Sequence, residues 1–275
     1  MSAPLSSRYR TAFVTGASGG LGRAFAERLL AGGVRVWGTG RDPARLPVLP
    51  GFAPVTLDLA AAPSVRKTVF QQADAAAGGF DLVVNNAGYG VFGPFAEEDF
   101  SVWQAQLDAM LGATLQLAHL ALRGMLARRR GALVNVSSLA VEFPLPFMSG
   151  YNTVKSGLSA FSESLMVETA GSGVIVIDFR PGDYRTGFNQ AMHAPLSDPA
   201  RPARLRRAWA ILEKNLAAAP SPVRAAADLQ RALVRGRSGV VRSGGFFQAV
   251  LAPGLARFAP LALRRAVTAR YFGVS

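Results

Sequence analysis

A tyrosine and a lysine four residues apart, Tyr151 and Lys155, are the side chains whose types and spacing best suit proton transfer. The segment that contains them has helical periodicity, and side chains four positions apart lie on one face of a helix. A tyrosine with its ordinary pKa of about 10 is a poor acid or base at neutral pH, and a neighbouring ammonium lowers that pKa by stabilising the phenolate. The pair is a candidate acid/base site, although a Tyr-x-x-x-Lys spacing is also common by chance.

A glycine-rich segment from Thr15 to Gly22 lies between a short apolar run and a helical pattern. Glycine permits positive φ and a close approach of backbone N–H groups to a phosphate, and the helix that follows presents its positive end. A tight turn also requires glycine, so the position between strand and helix is what favours a nucleotide site. The candidate phosphate-binding residues are Gly16, Ser18, Gly20, Leu21 and Gly22.

The residues after the second predicted strand, Gly40-Arg41-Asp42, bear on which nucleotide binds. A site that prefers NAD places an acidic residue there against the ribose 2′-hydroxyl. Glycine stands at that position instead, and the guanidinium of Arg41 can hold a 2′-phosphate. We therefore expect NADP(H) to be favoured over NAD(H), with Asp42 as the counter-argument and a solvated turn arginine as the alternative interpretation of Arg41.

The elements that must position these residues alternate along the chain between β-type apolar runs and helical patterns, which is typical of parallel pairing. Crossovers between parallel strands are right-handed, so we predict an α/β fold with a Rossmann-type doubly wound sheet and helices on both faces. The predicted strands are 11–15, 34–38, 54–57, 80–84, 132–136 and 174–179. The predicted helices are the stretch that follows the glycine cluster 16–22 and runs through Leu30, then 101–130, 151–168, 203–218 and 222–235.

The whole chain, 1–275, is expected to form a single domain, since no linker-like composition divides it. Its core is predicted over about 9–188 and 222–242. The segment 187–220, which includes a Pro-broken stretch from His193 to Pro202, is expected to cover the substrate. Phe188, Met192, Trp209, Ile211 and Leu212 in that segment favour a lipophilic substrate. The extension 243–275 mixes apolar patches with arginines and packs on its own domain, on a second subunit or on a membrane surface.

Composition excludes several kinds of site. The 275 residues contain no cysteine and two histidines, which leaves little for a metal centre, a disulfide or a His-based triad. No apolar run reaches the roughly 18 residues of a membrane span, and the first ten residues lack the apolar stretch of a secretory signal. We therefore expect a cytoplasmic location.

The net charge of +13 is carried almost wholly by arginine. Nucleic acid, an anionic membrane and a phosphorylated cofactor are each candidates for the partner of so basic a chain, and an arginine-rich composition spread over solvated helix faces is the alternative. The triplet Arg128-Arg129-Arg130 fits the end of the long predicted helix, where cations face the negative end of the helix dipole.

Taken together, these segments resemble the short-chain dehydrogenase/reductase family from the N-terminus to about Phe188. The motifs that carry the resemblance are Thr15 to Gly22, Asp58-Leu59, Asn85-Asn86-Ala87-Gly88, Ser137-Ser138, Tyr151 with Lys155, and Pro181-Gly182 through Thr186. The resemblance implies cofactor contacts at Asp58, Leu59, Asn86, Ala87, Gly88, Pro181, Gly182 and Thr186, and at Tyr151 and Lys155. The segment Asn86 to Phe95 is most similar to the branches of this family that act on apolar alcohols and ketones.

The family's roles, carried over, make Tyr151 the acid/base and Ser138 the holder of the carbonyl oxygen. Lys155 then binds the nicotinamide ribose and lowers the pKa of the tyrosine. One departure concerns the family's fourth catalytic residue, an asparagine that anchors a water chain leading from the lysine to solvent. That asparagine falls on Met110, or on Ala109 with a one-residue shift, so proton supply needs another route.

Three function classes follow from these observations. The first is an NADP(H)-dependent carbonyl reductase or alcohol dehydrogenase. The second is a nucleotide-binding regulator with weak or no catalysis, which the missing asparagine favours. The third is a basic binder of nucleic acid or anionic membrane, which the net charge favours. We expect the first class, no nucleic-acid partner, and a homodimer or homotetramer paired through the helices of 101–130 and 151–168.

Overall fold

In the computed structural model, which describes residues 5–188, 191–194, 202–256 and 258–274, seven strands form one sheet in the order β3-β2-β1-β4-β5-β6-β7. Every pair of neighbouring strands is parallel. The strands are β1 Thr11–Val14, β2 Arg35–Gly40, β3 Phe52–Thr56, β4 Leu82–Asn85, β5 Gly131–Val136, β6 Val174–Pro181 and β7 Gly239–Ser243. The predicted Rossmann-type doubly wound α/β fold is confirmed, with its switch in strand order between β1 and β4.

Helices cover both faces of the sheet. They are α1 Gly20–Ala31, α2 Pro63–Ala77, α3 Phe100–Leu107, α4 Ala113–Ala127, α5 Ser149–Glu168, α6 Ala203–Ala218, α7 Pro222–Arg235, α8 Ala252–Ala256 and α9 Leu261–Tyr271. One core layer lies between the sheet and helices α1 and α7, where Phe25 meets Phe179 edge to face at 5.6 Å. The other lies between the sheet and helices α2, α4 and α5, where Phe13 packs on Phe70 and Phe80. Strands buried on both sides explain why the sequence runs are continuously apolar.

The seventh strand was not predicted from the sequence. From Gly239 to Arg242 the residues of β7 alternate between partly buried and exposed, because β7 lies at an edge of the sheet. The run Gly239–Ser243 therefore lacks the continuous apolar character of the central strands. The strand extends the sheet beyond β6 and brings the chain that follows Ser243 to the edge where the predicted site residues lie.

The long predicted helix of 101–130 differs from the structure at its middle. Between α3 and α4 the residues Asp108–Gly112 form a π-helical turn, and α4 ends at Ala127. The arginines that follow close this end against the sheet: Arg128 donates to the carbonyl oxygen of Phe80 at 2.9 Å, and Arg130 lies 3.4 Å from Asp81. The π turn therefore falls on the two positions, Ala109 and Met110, at which the sequence comparison places the missing asparagine.

A third apolar cluster lies outside the two core layers, beyond the carboxyl edge of the sheet. It joins α6 to the segment around Phe188 and Met192 and to Phe272 near the end of the described chain. Much of the predicted Pro-broken stretch, 195–201, lies outside the described residues. Within the described part of the chain, no helix has the length and apolar character required to span a membrane.

Candidate active site

The glycine-rich loop folds tightly over the end of β1. Gly16 and Gly20 have φ of 71° and 53°, a region that favours glycine. A Cβ atom on Gly22 would lie 2.2 Å from the carbonyl oxygen of Gly16, so only glycine fits there. Nothing lies within 4 Å of a Cβ placed on Gly19, which leaves open space on the outer side of the loop. The loop is therefore a cradle of backbone that begins α1, the geometry that suits a pyrophosphate.

Side-chain hydrogen bonds join this loop to the end of β4. The hydroxyl of Thr15 accepts from the backbone N–H groups of Asn86 and Ala87 at 2.9 and 3.0 Å. The amide of Asn86 donates to the carbonyl oxygen of Thr15 at 2.9 Å. These bonds bring Asn86, Ala87 and Gly88, predicted as cofactor contacts, beside Gly16.

The segment after β6 connects the two ends of the predicted cofactor site. Near Pro181, a Cβ atom on Gly182 would lie 3.0 Å from Leu139, the residue after Ser138. Further along, Thr186 reaches the glycine loop, because a Cβ atom on Gly20 would lie 3.3 Å from the Cβ atom of Thr186. The segment thus runs from the neighbourhood of Ser138 to the phosphate cradle, as the resemblance implies.

The residues predicted at the adenosine end follow β2 and β3. Burial raises the pKa of Tyr89, Arg41 lowers it and Asp58 raises it, so both charges lie within electrostatic reach of this hydroxyl. The carboxylate of Asp58 accepts from the backbone N–H of Ala60 at 2.9 Å. The carbonyl of Leu59 accepts from Arg66, a buried side chain, at 2.9 Å.

Asp42, the argument against a 2′-phosphate, has a local structural partner. Its carboxylate accepts from the backbone N–H of Ala44 at 2.9 Å and caps the turn Pro43–Arg45. Arg41 is exposed directly after β2. The carboxylate therefore has a capping function that accounts for its presence without a ribose contact.

The three candidate catalytic residues come together where β5 ends and α5 begins. The side chain of Ser138 caps the short turn Leu139–Val141 and lies near enough to the hydroxyl of Tyr151 to lower its pKa. Lys155 is 5% exposed, and its Nζ atom donates to the carbonyl oxygen of Val136 at 2.7 Å and lies 5.6 Å from the centre of the Tyr151 ring. Local contacts fix the start of α5, because Asn152 bonds back to both backbone groups of Leu145.

Burial controls the protonation of this pair. Burial is the largest cause that raises the pKa of Tyr151 to about 12; the side chain of Ser138 opposes this rise, and the charge of Asp183 contributes to it. Burial lowers the pKa of Lys155 to about 8, and the charge of Asp178 opposes this. The sequence led us to expect that Lys155 lowers the pKa of Tyr151. In this geometry, desolvation disfavours the charged form of both groups and outweighs the effect of the neighbouring charges, so the pKa of Tyr151 is raised instead.

The position of the missing asparagine is filled by an apolar cluster. Met110 is 2% exposed and packs with Val154 and Leu158 of α5. Its sulfur accepts from the backbone N–H of Tyr89 at 3.4 Å, and a Cβ atom on Gly88 would lie 2.8 Å from its methyl carbon. The thioether thus occupies the space between the end of β4 and the helix that carries Lys155.

Two carboxylates near the site were not singled out from the sequence. Asp178, fully buried on β6, accepts from Ser159 at 2.8 Å, from Ser137 and from Arg180 at 2.7 Å. Asp183 accepts from the side-chain amide of Gln248 at 2.7 Å, and its own pKa is raised by burial. Both residues lie in β6 or just after it. An acidic residue in an otherwise apolar stretch of sequence was the signal that could have identified them.

On the other side of Tyr151 the surroundings are aromatic and apolar. The ring of Phe188 meets that of Tyr151 at 5.8 Å, and Phe92 meets Phe147 at 5.7 Å and Trp209 at 5.1 Å. The apolar residues predicted to cover the substrate all lie in this cluster: Phe188, Met192, Trp209, Ile211 and Leu212. Among the described residues, no group of His, Asp and Glu side chains could hold a metal ion.

Comparisons with known proteins agree with this geometry. A family profile described as short chain dehydrogenase matches residues 10–196. An uncharacterised oxidoreductase of Myxococcus xanthus is 37% identical over 196 residues, which cover 68% of this chain and 77% of that protein.

Solved structures show the same arrangement. A short-chain dehydrogenase from Streptomyces avermitilis superposes with a TM-score of 0.79 at 26% identity, over 96% of each chain. One from Burkholderia cenocepacia, in complex with NADP, gives a TM-score of 0.71 at 25% identity, over 96% of this chain and 98% of that one. The chain belongs to the short-chain dehydrogenase/reductase family, a family of oxidoreductases that bind a nicotinamide nucleotide.

Proposed function

We propose that the protein is an NADP(H)-dependent oxidoreductase that interconverts a carbonyl and a secondary alcohol on a lipophilic small molecule. This proposal rests on one observation: Ser138, Tyr151 and Lys155 lie close together between the glycine-rich loop and the aromatic cluster that contains Phe188. The cradle suits a dinucleotide because it exposes backbone where any larger residue would fill the space.

The residues of the chain divide the chemistry as follows. Ser138 orients the substrate oxygen, and Tyr151 donates a proton to it in reduction or removes one in oxidation. Lys155, held by the carbonyl of Val136, binds the ribose hydroxyls and places a positive charge next to the phenol. The bound nicotinamide supplies the hydride, and its oxidised form adds a positive charge that opposes the effect of burial on the pKa of Tyr151.

The preference for NADP(H) rests on Arg41. Its guanidinium is exposed after β2, while the carboxylate of Asp42 is engaged with Ala44. Replacing Arg41 by Ala removes a charged hydrogen bond worth about 1.5 to 3 kcal/mol. We expect titration by nicotinamide fluorescence to show tighter binding of NADPH than NADH in the wild type and near-equal binding in Arg41→Ala. Asp42→Ala is the matched control and keeps the preference; a variant of Arg41 that still prefers NADPH contradicts this assignment.

A nucleotide-binding regulator is the second candidate function, because Met110 fills the asparagine position with apolar contacts. Proton supply in the enzyme we propose then passes from Lys155 by a route that does not include residue 110. Turnover separates the two functions. A panel of ketones of increasing apolar size is expected to oxidise NADPH, fastest for the larger members; tight NADPH binding without turnover of any ketone favours the regulator.

Assembly is also a proposal. We propose a homodimer or homotetramer formed through the surfaces of α3, α4 and α5, on which apolar side chains such as Leu126 and Val167 are exposed. Sedimentation velocity at micromolar concentration is expected to show an oligomer. A monomer throughout that range contradicts this part of the proposal.

A further inference from the structure

The chain after β7 concentrates exposed apolar side chains. The described residues have nineteen exposed large apolar side chains, and nine of them fall between positions 246 and 271. We call residues 244–274 the tail. Its exposed apolar residues are Phe246, Phe247, Val250, Leu251, Phe258, Leu261, Leu263, Val267 and Tyr271. Phe258 is 86% exposed and Phe246 is 70% exposed, values at which a phenylalanine contributes nothing to the core. Patches of this kind mark a binding surface.

The tail is nevertheless held against the domain at defined points. Gln248 bonds to Asp183 beside the candidate active site, and Tyr271 accepts from Asn215 of α6 at 2.8 Å. Phe272 is buried against α6 in the aromatic cluster. The contacts on the inner side explain the path of the tail, and they leave the outer side without a partner among the described residues.

The outer side of the tail carries apolar side chains that lie close together along its helical segments. Phe247, Val250 and Leu251 lie together in the π-helical turn Phe247–Leu251, and Leu263 and Val267, four residues apart, lie on one face of α9. Arg264 and Arg270 are exposed on the same helix. This combination of large apolar side chains with flanking arginines is the pattern of segments that lie in a membrane interface.

Charge identifies the occupant of this surface. The last acidic residue of the sequence is Asp228, and the 33 residues from 243 to 275 contain four arginines, at 257, 264, 265 and 270. A second copy of the chain would bring these arginines against each other on a protein of net charge +13, which opposes association. An anionic membrane has negatively charged headgroups in its interfacial region, which is also the region in which aromatic rings insert.

We propose that the tail docks the protein on an anionic membrane surface. Arg264, Arg265 and Arg270 face the lipid headgroups, and Phe246, Phe247 and the apolar side chains of α9 enter the interface. The inner side of the tail borders the aromatic cluster that includes Trp209 and Phe188, and Phe188 meets Tyr151, so the docked tail lies next to the candidate active site. Under the proposed function, this position gives a lipophilic substrate a path between membrane and site without passage through bulk water; the docking itself does not depend on that function.

The test is flotation of the full chain with vesicles, without cofactor or substrate. We expect the wild type to float with vesicles of phosphatidylcholine and phosphatidylglycerol in equal parts, and to remain unbound with phosphatidylcholine alone. Phe246→Ser/Phe247→Ser and Arg264→Gln/Arg265→Gln are each expected to lower the partition coefficient about tenfold or more.

Matched controls separate the tail from general surface effects. Val48→Ser/Val223→Ser removes exposed apolar groups elsewhere, and Arg235→Gln/Arg237→Gln removes two exposed positive charges from the end of α7 and the turn after it. We expect both pairs to retain binding within about twofold. Affinity for NADPH and the thermal midpoint, unchanged in all four variants, show that each remains folded.

Three outcomes overturn the proposal. The first is a wild type that does not float with anionic vesicles, and the second is a loss of binding in the controls as large as in the tail variants. The third is the dissociation, in the tail variants, of an oligomer that the wild type forms without vesicles, which would assign the surface to a second copy of the chain. Because no turnover is measured, failure here leaves the proposed oxidoreductase function intact.

Discussion

The protonation of Tyr151 depends on a balance between burial and a small number of charges. Burial, with a smaller contribution from the charge of Asp183, raises the pKa of this phenol to about 12, and Ser138 opposes both. On our proposal, the positive charge that opposes burial in the working site comes from the oxidised nicotinamide, beside Lys155. Asp183 is the part of this balance that a single substitution can remove without altering Ser138, Tyr151 or Lys155.

Asp183→Asn is therefore expected to lower the pKa of Tyr151, because the amide keeps a partner for Gln248 but carries no charge. In the oxidation of an alcohol the reactive form is the phenolate, so the rising limb of kcat/KM against pH moves to lower pH in this variant. Glu27→Gln, an exposed carboxylate of α1 paired with Arg23, is the charge-matched control and leaves the profile in place. A profile that does not move in Asp183→Asn contradicts the electrostatic role.

Met110 provides a second prediction for a single residue. Met110→Asn removes a buried thioether and puts an amide among Val154 and Leu158, where the described residues supply apolar contacts. We expect a loss of about 2 to 4 kcal/mol in the free energy of unfolding, measured in urea. Loss of less than about 1 kcal/mol, on the same scale, would show that this position already accommodates a polar group. Met166→Asn, at a partly buried position of α5, is a milder comparison.

Among the elements, the central strands and most of the helices were predictable, because strands covered on both faces are continuous apolar runs and helices show a 3.6-residue period. The tight turn between β1 and α1 was also predictable, since Gly22 and Gly16 are dictated by close backbone contacts within a short loop; the catalytic and nucleotide-binding roles stay predictions. The edge strand β7 was not, because its side chains alternate in exposure. The π turn at Asp108–Gly112 was missed as well, since the sequence pattern across it is that of an uninterrupted helix. Asp183 was missed because only the fold brings its charge close enough to Tyr151 to raise the pKa of that phenol.

The glycine-rich loop between β1 and α1 gives a further prediction. Gly22→Ala puts a Cβ atom 2.2 Å from the carbonyl of Gly16, so the turn must move and NADPH binding is expected to fall by about 1 to 3 kcal/mol or more. Gly19→Ala is the matched control, because its backbone is extended and nothing lies within 4 Å of the new atom. Fluorescence titration of NADPH checks both variants; equal losses in the two would mean that the loop responds to bulk rather than to this contact.

For the whole molecule, the buried lysine gives stability a defined pH dependence. The pKa of Lys155 is lowered to about 8 in the folded protein, from an ordinary value of about 10.5 in the unfolded chain. Between these values the unfolded state binds more protons than the folded state, so this group makes stability rise with pH. The slope reaches at most about 1.4 kcal/mol per pH unit.

Lys155→Met removes this contribution. We expect the free energy of unfolding of the wild type, relative to that of Lys155→Met, to rise between pH 8 and pH 10 and to be constant below pH 7. Denaturation in urea across this range gives the difference directly. A constant difference from pH 7 to pH 10 would show that Lys155 keeps an ordinary pKa in the folded protein.

The central claim, that this protein is an oxidoreductase whose acid/base is Tyr151, is tested most directly by the rate of ketone reduction with NADPH in Tyr151→Phe. The variant keeps the ring that meets Phe188 and loses the hydroxyl alone. Our account predicts that kcat/KM falls by about 10²- to 10⁴-fold, while the affinity for NADPH stays within about threefold of the wild type because the ribose contacts of Lys155 remain. A variant that reduces ketones at the wild-type rate would contradict the account.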